Sequence, residues 1–175
     1  MTGHAVLTAI GADRPGLVEA VSEFVFHSDG NIEDSRMANL HGQFTMMLLV
    51  SAPPEALHKM QAAVPVLIQK THLHVEIRPA VDMPTPARPA MHYRLAASAM
   101  DQAGLVHRIT HLLRSLEVNI ESMETSLVAA PYSGAPVFEM SLLMSVPGDL
   151  PSRDLRDQLG KLCDELNVDW DLTSI

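Results

Sequence analysis

Asp13-Arg14-Pro15-Gly16-Leu17-Val18 returns as Asp101-Gln102-Ala103-Gly104-Leu105-Val106, and Asn31-Ile32-Glu33 returns as Asn119-Ile120-Glu121. The shift from 13 to 101 equals the shift from 31 to 119, so the segment between the two motifs has kept its length in both copies. Further on, Phe44-Thr45-Met46-Met47-Leu48-Leu49-Val50-Ser51-Ala52-Pro53 matches Phe138-Glu139-Met140-Ser141-Leu142-Leu143-Met144-Ser145-Val146-Pro147 at a larger shift, so the second copy has gained residues. The gain falls around Ala130-Pro131-Tyr132-Ser133-Gly134-Ala135-Pro136, where proline and glycine mark a surface turn that tolerates insertion. An internal repeat of this size makes the chain two small modules in tandem.

Within each copy the pattern reads β, α, β, β, α, β. His4 to Ile10 is β-branched and apolar, and Asp13 with Pro15 supplies the start signals of a helix. Leu17, Val21, Phe24, Val25 and Ser28 keep helical spacing, and Asp29-Gly30-Asn31 stops it. Ile32–Leu40 and Gln43–Ser51 form a hairpin about His41-Gly42. Pro53-Pro54 opens a second helix along Leu57, Met60, Val64, Leu67 and Ile68, in which Pro65 is expected to introduce a kink, and Leu73–Arg78 closes the module. The second copy gives strands over Tyr93–Ala99, Ile120–Val128, Val137–Val146 and Val168–Thr173. Its helices carry Leu105, Ile109, Leu112, Leu113 and Leu116, then Pro151 to Leu166.

The expected fold class is therefore α+β, with two ferredoxin-like βαββαβ modules. Each module has a four-stranded antiparallel sheet with both helices on one face. The other face, or an edge, is left for association, and a homodimer or higher oligomer is expected. Residues 1–79 make the first domain and 92–175 the second. Residues 80–91 form a linker, because Pro79, Pro84, Pro86 and Pro89 favour an extended chain.

Composition narrows the function. The 175 residues carry a formal net charge of −9, with an excess of acids in both halves and no basic stripe. Such a chain is a poor direct ligand for a phosphate backbone, so no direct nucleic-acid contact is expected. Cys163 is the only cysteine and lies beside the stripe Leu155, Leu159, Leu162, Leu166, so it reads as a small buried hydrophobe. One cysteine makes no intrachain disulfide, and no apolar run reaches membrane-spanning length. A cytoplasmic protein without a membrane anchor is expected.

The paired Asp-x-x-Gly-Leu loops, each followed by Asn-Ile at the start of the second strand, resemble the ACT domain family. The tandem arrangement resembles the bacterial glycine cleavage system transcriptional repressor group. That resemblance implies a non-enzymatic regulator responsive to a small amino acid, glycine or similar. It implies a role in transcription exerted through a DNA-binding transcription factor as protein partner. The implied ligand-binding residues are Asp13, Gly16, Leu17, Asn31 and Ile32 in one copy, and Asp101, Gly104, Leu105, Asn119 and Ile120 in the other. In the family these positions face a partner domain and make a shared interface site.

The residues offer their own rationale. Gly16 and Gly104 lack a Cβ, so helix N-terminal amides are open to a carboxylate that the helix dipole favours. Asp13 and Asp101 are expected to receive an ammonium. Asn31 and Asn119 are expected to offer donor and acceptor groups at the same end of the sheet. Structural roles compete with each of these. The aspartates can cap or balance the helix dipole, the glycines can permit close packing, and the asparagines can occupy left-handed turns. His107 and His111 share one helical face and His72 and His74 one strand face, spacings compatible with a metal. The counterparts of His107 and His111 are Glu19 and Glu23, so a solvated helix face is the reading taken, and neither a metal nor another cofactor is expected. No phosphate-binding loop, dinucleotide fingerprint or nucleophile elbow is present. The competing classes are a small metal-dependent enzyme on a ferredoxin-like frame and a constitutive interaction module without ligand.

Overall fold

The computed structural model describes residues 2–81, 89–131 and 133–175. The backbone divides into two compact units, Met1–Met83 and Pro84–Ile175. The first contains β1 (Gly3–Ala12), α1 (Leu17–His27), β2 (Asn31–Leu40), β3 (Gln43–Ala52), α2 (Pro54–Thr71) and β4 (His74–Pro79). The second contains β5 (Ala90–Met100), α3 (Leu105–Ser115), β6 (Asn119–Ala129), β7 (Pro136–Pro147), α4 (Ser152–Leu166) and β8 (Asp169–Ser174). Of the linker expected over 80–91, residues 82–88 lie outside the described ones, while Ala90 and Met91 are already part of β5.

Each unit builds one four-stranded sheet, ordered β2-β3-β1-β4 and β6-β7-β5-β8, and every pairing is antiparallel. Alternation decides which face is covered. Along β1, Ala5, Leu7 and Ala9 are buried, while His4, Val6, Thr8 and Ile10 turn to the opposite face. The helices present their own stripes to the buried side: Leu17, Val21 and Val25 from α1, Ala56, Met60 and Leu67 from α2. Leu7 and Leu48 lie directly opposite one another at the centre of that layer, and Leu95 and Leu142 repeat the pairing in the second unit. All four are fully buried, each worth about 1.5–3 kcal/mol against leaving it exposed.

The local signals explain the ends of the elements. His41 and Gly42 both take positive φ, 52° and 80°, as a two-residue hairpin turn with the right twist requires. Pro65 lies on the exposed side of α2, inside a helix that runs to Thr71. One expectation needs correction. His72 caps α2 in a left-handed conformation (φ 58°) and β4 starts only at His74, so the two histidines do not share a strand face.

Candidate functional site

The loop between β1 and α1 is built in the same way in both units. Gly16 stands at the N-cap of α1 with φ 89°, and Gly104 at the N-cap of α3 with φ 93°. Their carbonyls accept the first helical bonds, from Ala20 N and Arg108 N, both at 2.9 Å. Neither helix start is closed by a side-chain cap, so the first-turn amides keep their N–H groups directed out of the helix. A Cβ built on either glycine meets nothing within 4 Å. Close packing is therefore not what calls for glycine here. The left-handed backbone is, and the position a Cβ would take at each helix start is open.

Neither Asp13 nor Asp101 acts as a side-chain cap. Asp13 is tied to the far end of the β2–β3 hairpin, where its amide donates to Gly42 O at 2.9 Å and its carboxylate accepts from Asn39 Nδ2 at 2.5 Å. Asn39 Oδ1 in turn accepts the Gly42 amide at 3.1 Å. At the corresponding position the second unit has Leu127, and the Asp101 carboxylate has no hydrogen-bond partner among the described residues. The next residue in each loop reaches the end of the second helix. Arg14 Nη2 donates to Lys70 O and Thr71 O, each at 3.1 Å, and Gln102 Nε2 donates to Leu166 O at 2.8 Å. Different side chains thus anchor the same loop to the same carbonyl terminus, where cationic and amide donors satisfy orphan acceptors.

Asn31 and Asn119 are not beside these loops, contrary to the expectation that they share one end of the sheet. Asn31 pairs with Ser51, and Ser51 pairs with His4 at the opposite end of β1 from Asp13. His4 and Asp13 are nine positions apart along an extended strand, about 30 Å. The second unit repeats this layout through Asn119, Ser145 and His92. The left-handed positions before β2 and β6 are Asp29 and Glu117, so the asparagines do not serve as turn residues. Leu17 and Leu105 are buried in the two cores, and Ile32 and Ile120 pack against them. At Leu17 and Leu105 only the backbone is available to a ligand, while Ile32 and Ile120 are half-buried.

The remaining candidates are quickly placed. His107 and His111 lie with their rings tilted to one another, 6.0 Å between centroids, on the exposed side of α3, and among the described residues no third metal-ligating side chain joins them. Cys163 is buried, and desolvation together with Asp164 pushes its thiol up to about 11. Lys70 pairs with Glu23 between α2 and α1 at 2.6 Å and holds that carboxyl below its ordinary range. No described helix is long and apolar enough to cross a membrane. The sequence reading missed Asn39, Arg14, Gln102 and a recurrent His–Glu pair, His4 with Glu33 and His92 with Glu121. For that pair a signal existed, because His4 and His92 differ by the same shift as the two loops.

Residues 4–78 match the family model of the ACT domain. Over 94% of its length and 86% of the relative's, the chain is 27% identical to the glycine cleavage system transcriptional repressor of Escherichia coli (strain K12). Among solved structures, a protein of unknown function from Galdieria sulphuraria superposes with a TM-score of 0.85 at 28% identity, covering 100% of this chain and 99% of that one. A crystal structure named provisionally as a glycine cleavage system transcriptional repressor has the same fold, with a TM-score of 0.72 at 24% identity over 100% and 98% of the two chains. The ACT-domain model thus matches the first βαββαβ unit, the same order of elements is built a second time from β5 to β8, and the chain resembles the glycine cleavage system transcriptional repressors over nearly its whole length.

Proposed function

We propose that the protein is a non-enzymatic regulator that senses a small amino acid, glycine or a close relative, and controls transcription of glycine cleavage genes through a DNA-binding protein partner. The observation that carries the reading is the pair of matching helix starts at Gly16 and Gly104. Each leaves first-turn amides without a side-chain cap and opens onto free space, the arrangement that suits a carboxylate. Asp13 and Asp101 supply negative charge for the ammonium of the same ligand. The end-to-end likeness to a repressor supports the regulatory role. The excess of acids in both halves of the chain favours action through a partner over direct contact with DNA. Assembly as a homodimer or higher oligomer belongs to the same proposal, since each sheet has one face without helices.

Isothermal calorimetry of the full chain against glycine, L-serine, L-alanine and L-threonine tests it, together with a gel shift on duplex DNA at physiological salt. Saturable binding of at least one amino acid and no shift by the protein alone are expected. Absence of binding by every member of the panel overturns the effector, and a specific shift at low nanomolar protein overturns the need for a partner.

A further inference from the structure

The outward faces of α1 and α3 carry opposite chemistry at matching places. Glu19, Glu23 and Phe26 stand on the exposed side of α1, and the shift that relates the two loops carries them to His107, His111 and Arg114 on the exposed side of α3. Steps of four and then three residues keep each set on one helical face. The buried stripes beneath have kept their character, with Leu17, Val21 and Val25 answered by Leu105, Ile109 and Leu113. The outer face has instead reversed its charge. In a chain of net charge −9, α3 holds no acidic residue.

Neither face is used up within its own unit. Among the described residues, Glu19 and Arg114 make no ion pair, and the side chains of His107 and His111 make neither a hydrogen bond nor an ion pair. Lys70 bonds Glu23 through Oε2, so Oε1 can accept from elsewhere. Phe26 is 74% exposed and adds the apolar area that exposed ion pairs lack. Laid side by side, the two faces complement each other in either direction. Antiparallel helices bring Glu19 to Arg114, Glu23 to His111 and Phe26 to His107, while parallel ones bring Glu19 to His107, Glu23 to His111 and Phe26 to Arg114. Each glutamate then meets a donor, and the phenyl ring meets an imidazole or a guanidinium, both of which it attracts. Like faces repel, since α1 on α1 sets carboxylate against carboxylate and α3 on α3 sets cation against cation. We infer that α1 of one chain docks on α3 of a second copy, twice about a two-fold axis, so that a dimer covers both faces of both chains. The contact rests on the assembly proposed above and places it on the helix layer, not on the bare face of the sheet.

Sedimentation velocity of the full chain tests it, with wild type expected to associate. Glu19→Lys/Glu23→Lys makes both faces cationic, and His107→Glu/His111→Glu/Arg114→Glu makes both acidic. At unchanged melting point each variant alone is expected to associate at least about tenfold more weakly. Mixed in equal amounts the two are expected to regain association, because each offers the face that the other lacks. Phe26→Arg spares the pair between Glu23 and Lys70 and is expected to weaken association as well. Variants that associate like wild type overturn the helix contact and leave assembly to the sheet faces. Weakened variants that stay apart when mixed overturn the second copy as the occupant. A wild-type chain that is monomeric at every concentration overturns the contact and the proposed assembly together, and leaves the amino-acid reading untouched.

Discussion

Asn39 Nδ2 donates to the Asp13 carboxylate across 26 residues of sequence, while its own Oδ1 accepts the Gly42 amide. One asparagine thereby links the loop that opens α1 to the turn that closes the β2–β3 hairpin. Leu127 at the same position of the second unit makes no such link, so the two loops differ in how firmly their aspartate is held. Asn39→Leu is expected to lower stability by about 0.5–1.5 kcal/mol, because both bonds are exposed to water. Urea unfolding measures it, and a loss above about 3 kcal/mol would mean that Asn39 holds more than these two bonds.

Arg14 and Gln102 place donors on the carbonyls that end α2 and α4. Arg14→Ala leaves those carbonyls to water and is expected to cost about 1 kcal/mol, with faster amide exchange around His72 and Leu73. Arg14→Gln is expected to keep most of the stability, since Gln102 meets the same need in the other unit. Equal losses for the two variants would assign the effect of Arg14 to its charge.

Gly16→Val and Gly104→Val each force a β-branched residue to φ near 90°, with strain of roughly 1–3 kcal/mol apiece. Asparagine tolerates such backbone far better, so Gly16→Asn is expected to lose less than half as much. Paired melts of the two variants check this. Because space in front of each glycine is open, equal losses for Val and Asn would point to an unseen steric contact.

The Cys163 thiol is raised from an ordinary value of 9.0 to about 11 by burial and Asp164. A thiol that ionises later when folded contributes nothing to the pH dependence well below 9. Between about pH 9 and 11 the unfolded chain gives up its proton first and stability falls. Labelling with a thiol reagent at pH 8 is expected to be negligible in the folded protein and rapid in urea. Rapid labelling without denaturant would contradict the burial.

The repeat, the order of elements, the hairpin turn and both glycines were legible in the sequence because each is a local fact. A period of two or near four marks the buried face of a strand or helix. Gly42, Gly16 and Gly104 each stand where the backbone turns left-handed, and the same spacing in two copies doubles every signal. Even Cys163 could be read as buried from its place beside the leucine stripe. Where Asn31 lies relative to Asp13 was not local. The two are 18 positions apart in sequence, yet α1 returns the chain to the start of the sheet, so β2 begins beside His4 and not beside the loop. The link from Asn39 to Asp13, the reach of Arg14 to the end of α2, and the bulges that turn Glu33 and Glu121 towards histidine depend on register between strands and on a crossover's length. Only the folded sheet decides them, because a shift of one residue in pairing would send those side chains to the other face.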